Sequence, residues 1–192
     1  MTVERSWATI MDWCRVNAPV SAGLVRPPAG EAALRAAQQV MPRPWPDDLR
    51  RWYQLHDGVD ELPFLLPGYA PLSLEQIVGD WRTYQGLYAE ADHDWVVDAY
   101  EAQDAGTPSG GFLPSFVPFA GDGAGWGLYV DTRPGPHHGC VTEFQKDDDG
   151  RPGLRWPSIE RMLRDVADSL LHGRSIVRDR PRVTNGELDW GL

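Results

Sequence analysis

Three groups of residues in this 192-residue chain carry side chains that could do chemistry. Asp122, Asp131 and His138 combine two carboxylates with an imidazole, the types that take and give protons in hydrolysis. Nothing in their spacing singles them out, and Asp131, at the end of an apolar run, equally starts the Thr132–Gly135 turn. Asp92-His93-Asp94 and His137-His138 carry metal-capable side chains. Neighbours in extended chain point to opposite faces, so His137 and His138 do not share one ion and read as exposed loop histidines. Gly121-Asp-Gly-Ala-Gly-Trp-Gly127 looks like a phosphate loop, yet GxGxxG needs glycine where Trp126 stands, and no GK[ST] occurs. It reads as a tight turn before a strand. Asp147-Asp148-Asp149-Gly150 begins like a calcium loop without its alternate ligands or terminal Glu, and reads as a polar hairpin tip. GxSxG, HExxH and paired CxxC are absent. No catalytic residue, metal ligand or cofactor is assigned, and the expectation is a protein that is not an enzyme.

The elements around these residues follow from periodicity. Val3, Trp7, Ile10, Met11 and Cys14 recur at spacings of three and four, predicting a helix from Val3 to about Asn17, ended by Pro19. A second helix runs from about Glu31 to Met41, stopped by Pro42. A third has Pro46 at its first position, Asp47 and Asp48 favourably placed in its first turn, and Gly58 as a left-handed cap. Ser73-Leu-Glu-Gln76 is a capping box opening a long helix through Leu74, Ile77, Val78, Trp81, Tyr84, Leu87 and Tyr88. Residues 89–110 read as an acidic loop with one helical turn around Trp95–Tyr100. From Phe112 the period shortens. Phe116–Phe119, Trp126–Val130 and Cys140–Phe144 fit a three-stranded meander, with Arg151–Trp156 as a candidate fourth strand. Ser158 opens a last amphipathic helix, capped by Gly173, and Asn185-Gly186 can turn a small terminal hairpin. Helices, then strands, then a helix argue for a single α+β domain.

Composition narrows the function. With 42% hydrophobic and 24% charged residues, the chain is neither disordered nor a membrane protein. Its first twenty residues hold Glu4, Arg5, Asp12 and Arg15, so they contain no signal-peptide core, and the expected location is cytoplasmic. Cys14 and Cys140 could form one bridge, but two buried free thiols fit a reducing compartment better. The net charge of −10 argues against nucleic acid as a partner. That charge is not spread evenly. Residues 57–150 hold 3 basic and 17 acidic side chains, a net of −14, between flanks of +2 each. A field of one sign steers a basic protein partner, although a solvated face that keeps the protein soluble has the same composition. Trp7, Trp52 and Trp81 fall on apolar helix faces. Trp13, Trp95, Trp126 and Trp190 are less clearly placed, and an exposed Trp beside acids makes a binding anchor. The residues expected to meet a partner are therefore Asp92, Asp94, Asp98 and Glu101, with Trp95 as their apolar anchor.

Trp45-Pro46-x-x-Leu49-x-x-Trp52-Tyr53-x-x-His56-Asp57-Gly58 resembles the early signature of the SMI1/KNR4 (SUKH) superfamily. Leu66-Pro67-Gly68-Tyr69 with Leu72-Ser73-Leu74 is similar to its bacterial members. So is Phe116–Phe119, running through the Gly-rich turn to Tyr129-Val130-Asp131 and Gly139-Cys140-Val141, with Trp126 where the family usually has a polar residue. The late helix Ser158–Leu171 closes the pattern. The resemblance implies an α+β domain, with a mixed or largely antiparallel sheet packed by helices. It divides the chain into an N-terminal helical extension packed on the core (1–44), the SMI1/KNR4-like domain (45–173) and a C-terminal tail (174–192). It also implies binding without known catalysis. Many bacterial members are thought to be immunity proteins that neutralise toxins, often nucleases, and fungal relatives are regulators acting through protein partners. The leading expectation is a protein-binding module, an immunity protein whose acidic surface covers a basic cognate toxin. The alternatives are a regulatory or scaffold domain, and a small-ligand or sugar-binding protein or hydrolase with an aromatic cleft.

Overall fold

A computed structural model describes residues 1–89, 94–109, 111–145, 154–176 and 179–191. Helix α1 (Val3–Asn17) begins where the Thr2 hydroxyl accepts the Arg5 N–H, and buries Val3, Trp7, Ile10, Met11 and Cys14 along one stripe. Pro19 opens the short α2 (Pro19–Gly23), and α3 (Glu31–Val40) follows. In α4 (Asp47–Leu55), Leu49, Trp52 and Tyr53 turn inward. This helix ends differently from the sequence expectation. His56 leaves it in extended conformation, and the left-handed Gly58 (φ +73°) serves the next turn instead. A Cβ at Gly58 would lie 2.4 Å from the Ser73 nitrogen, so that turn and the start of the next helix can meet only at glycine.

Helix α5 (Leu74–Ala89) is capped as its sequence predicts. Ser73 Oγ accepts the Gln76 N–H, Gln76 Oε1 accepts the Ser73 N–H, and Asp57 accepts the Leu74 N–H. Residues 94–101 form α6 (Asp94–Glu101), two turns where the sequence suggested one. The sheet is an antiparallel meander in the order β1 (Ala70–Pro71), β2 (Phe116–Gly121), β3 (Trp126–Asp131), β4 (Val141–Gln145) and β5 (Leu154–Trp156). The two-residue β1 carries no periodicity to read, and its Pro71 is tolerated because the strand lies at an edge. Helix α7 (Ile159–His172) ends at left-handed Gly173. Asn185 and Gly186, both at positive φ, turn the hairpin of β6 (Arg180–Thr184) and β7 (Glu187–Gly191).

Both faces of the meander are covered. Val117, Leu128, Val130 and Val141 join the larger core with Trp7, Ile10, Trp52 and Leu163. The alternate positions Phe116, Tyr129 and Phe144 join Phe112 and Leu113 in an aromatic cluster closed by Trp81 and Tyr84 of α5 and Val97 and Tyr100 of α6. The terminal hairpin is tied in by buried Trp190, whose indole N–H donates to the Phe64 carbonyl (2.8 Å). Together these elements make a single α+β domain. Among the described residues no helix is long and apolar enough to cross a membrane.

Candidate functional site

The three residues with hydrolytic potential do not converge. Asp122 lies beside Trp126, where β3 begins, and Asp131 ends that strand, about 16 Å further along it and far beyond the reach of one proton relay. Asp122 braces the Gly-rich turn, its Oδ1 accepting the N–H groups of Ala124 (2.7 Å) and Trp126 (3.0 Å). His137 and His138 are exposed loop residues, and His138 Nδ1 lies 3.0 Å from the Arg133 carbonyl. No group of three or more His, Cys, Asp or Glu among the described residues could hold a metal. His93 and the 147–150 tip lie outside the described residues. Cys14 and Cys140 are both free and buried, and burial pushes their thiols up to about 11 and about 12.

Asp131 has a different role. It forms a fully enclosed ion pair with Arg133 at 2.7 Å, both side chains being 0% exposed. The guanidinium also donates to the carbonyls of Tyr100 (2.8 Å) and Thr107 (2.7 Å), while Asp131 accepts the Gly106 N–H (2.8 Å). Arg133 lies over the Phe116 ring at 5.5 Å. The pair therefore fastens the end of α6, and the loop that follows it, to the sheet. A second fastening is Glu101, which accepts the Ser115 N–H (2.8 Å) and an Arg43 N–H (3.2 Å). Neither anchor was visible in the sequence, where Arg133 is one residue of a turn and Glu101 one acid among many.

Of the expected partner residues, Asp98 is exposed on α6, and Glu101 is largely enclosed by the two contacts just described. Asp94 and Trp95 begin α6, their side chains lying outside what the structure describes, and Asp92 lies outside the described residues. Because Arg133 is enclosed, no described Lys or Arg between Thr83 and Gln145 reaches the surface.

Beside this acidic stretch, α5 and the β2–β3 turn enclose a cleft of about 270 Å³. Gln76, Asp80 and Tyr84, four residues apart on α5, form one wall, and Trp126 stands on the other. Gly127 also lines the cleft, where a Cβ would meet the Ala120 carbonyl at 3.0 Å and the Tyr129 ring at 3.1 Å. Burial raises Asp80 from its ordinary value, and the residue has no hydrogen-bond or ion-pair partner among the described residues. Burial also raises the Tyr84 hydroxyl, the charges of Asp80 and Asp122 adding to the effect and a hydrogen bond with Tyr129 opposing it. The 76–80–84 spacing could have revealed this wall, but on the sequence it reads as the polar border of an apolar helix face.

The family model of the SMI1/KNR4 family (SUKH-1) matches residues 28–165. That span runs from the approach to α3 into α7 and contains the whole meander, both anchors and the cleft. No curated protein matches the chain.

Proposed function

Because the chain belongs to the SMI1/KNR4 (SUKH-1) family, which includes immunity proteins, we propose that it is a protein-binding module that neutralises a nuclease-type toxin through its acidic surface. The observation that supports this reading is the enclosure of Arg133. With that cation inside, the surface contributed by residues 83–145 carries Asp98, Asp104 and Asp122 and no described Lys or Arg of its own. A nuclease holds its substrate in a positive groove, and a negative protein surface meets that groove as a phosphate backbone would. Asp92, Asp94 and Asp98 are the proposed steering charges, with Trp95 the apolar anchor among them. Glu101 stands at the inner border of this surface and also holds α6 in place.

The test pairs the chain with the product of the gene beside its own. Co-expression should protect cells from that product, and the purified pair should associate at a rate that falls with added salt. Reversing Asp92, Asp94 and Asp98 to Lys should slow association about tenfold and flatten its salt dependence. Glu101→Gln is made separately, since it also loosens the Ser115 and Arg43 contacts. An association rate and salt slope unchanged in the triple variant would refute the proposal.

A further inference from the structure

We infer that the cleft between α5 and the β2–β3 turn seats one arginine side chain of a basic protein partner, an inference that rests on the reading above and adds a specific contact to it. The cleft has a shape and chemistry that suit this occupant. Its volume of about 270 Å³ lies below the usual range for small-molecule sites and is on the scale of a side chain. Asp80 is the only charged residue among the described ones lining it, and the carboxylate of Asp122 lies in the adjoining turn.

Two large apolar side chains stand exposed at its mouth, Trp126 at 42% and Leu62 at 51%. An exposed Trp and a carboxylate without a donor, lining one cleft, suit a guanidinium, which pairs with a carboxylate through a planar fork while its face can lie on a ring. A lysine ammonium offers neither the plane nor the fork, and it gives up its water less readily. Among the described residues no Lys or Arg lines the cleft, and the inference takes the cation from another molecule. Gly123 and Gly125 shape the turn beside the cleft at positive φ (+76° and +109°), a conformation that glycine adopts freely.

The test uses the full chain, ¹⁵N-labelled, titrated at low ionic strength with acetyl-Gly-Arg-Gly-amide and with the same peptide carrying citrulline, which keeps the shape and loses the charge. The arginine peptide should give saturable shifts at the Trp126 indole and the amides of residues 121–127, and the citrulline peptide should bind about fivefold more weakly or not at all. Asp80→Asn should weaken the arginine peptide by a similar factor, and Trp126→Gln, at a half-exposed position, repeats the test should the first variant fold poorly. Asp12→Lys, at an exposed position on α1, should leave peptide binding within about twofold, a control for general electrostatics. Equal binding of the two peptides, shifts elsewhere on the surface, or full affinity in both cleft variants would overturn the inference. The two proposals fail separately. Peptide capture by a chain that ignores the neighbouring gene product removes the toxin reading and leaves the cleft, whereas toxin capture unaffected by Asp80→Asn and Trp126→Gln does the reverse.

Discussion

Arg133→Met should destabilise this protein more than the loss of any of its exposed ion pairs. The side chain is fully enclosed and contacts Asp131 and the carbonyls of Tyr100 and Thr107. Removing it leaves the Asp131 carboxylate buried, still accepting the N–H groups of Gly106 and residue 133 but without a counter-ion. Breaking a buried pair in this way costs about 3–5 kcal/mol. The two carbonyls lose their donor at the same time, at about 1–3 kcal/mol each where water does not replace it. These costs share atoms and do not add, so the working figure is about 4 kcal/mol. For a chain of this length that corresponds to a fall in Tm of roughly 8–16 °C. By contrast, the exposed Arg15–Asp12 pair should be worth less than about 1 kcal/mol.

The assay is urea unfolding followed by tryptophan fluorescence, with hydrogen exchange at the amides of residues 100–107. Exchange there should accelerate more than in α1 or α7, because the guanidinium joins that segment to the sheet. The double variant Asp131→Leu/Arg133→Met should recover at least half of the loss, since an apolar pair leaves no buried charge unmatched. A single variant within about 1 kcal/mol of the parent, or a double variant no better than the worse single, would refute the reasoning.

Two further outcomes are expected. His56 is buried against Trp7 and Trp52, with Nδ1 accepting the Gly58 N–H, and burial lowers its pKa to about 3. The unfolded chain therefore takes up a proton that the folded one refuses. Stability should fall as pH drops from about 6.5 towards 3, by up to about 1.4 kcal/mol per pH unit from this group. His56→Gln removes that dependence, so the gap between parent and variant in urea titrations should narrow from pH 7 to pH 4; a constant gap would contradict the assignment. Gly79 and Gly86 lie within α5 with open space where a Cβ would stand. Replacing either with Ala should stabilise the protein by about 0.5–1 kcal/mol, and a lowered urea midpoint would show that the backbone there is not ordinary helix.

Local signals made most of the fold legible in the sequence. The stripe of Val3, Trp7, Ile10, Met11 and Cys14, the Ser73–Gln76 capping box and the Asn185-Gly186 turn each follow from contacts within a few residues, and each stands where it was expected. What escaped depends on partners distant in sequence. Gly58 looked like a helix cap because glycine after a helix usually is one, but its conformation answers to Ser73, fifteen residues on. The end of α6 is held by an arginine 33 residues away, and β1 has strand geometry only because β2 lies beside it. The cleft escaped for the same reason. Its two walls are 46 residues apart, from Asp80 to Trp126, and neither wall alone has the character of a site.

Charge raises the same issue in a sharper form. A count over residues 57–150 gives 3 cations and 17 acids, as though a few positive groups relieved the acidity wherever it became dense. The fold distributes those groups unevenly. Arg133, in the later part of the acidic stretch, is enclosed and satisfied by a buried aspartate and two backbone carbonyls, so its charge is neutralised locally and projects little outward. Asp131 leaves the surface with it, and the enclosed pair is neutral. The exposed acids Asp98 and Asp104 and the half-exposed Asp122 thus keep their charges in a stretch, residues 83–145, whose one described cation is enclosed. Burying an ion pair would be a costly way to gain stability, since a pair of apolar residues can do as well. Here it also holds α6 against the sheet and keeps its own cation off the surface. A requirement for both effects would favour Arg133 and Asp131 over the apolar pair, which could supply the first effect without a directional hold on Tyr100 and Thr107.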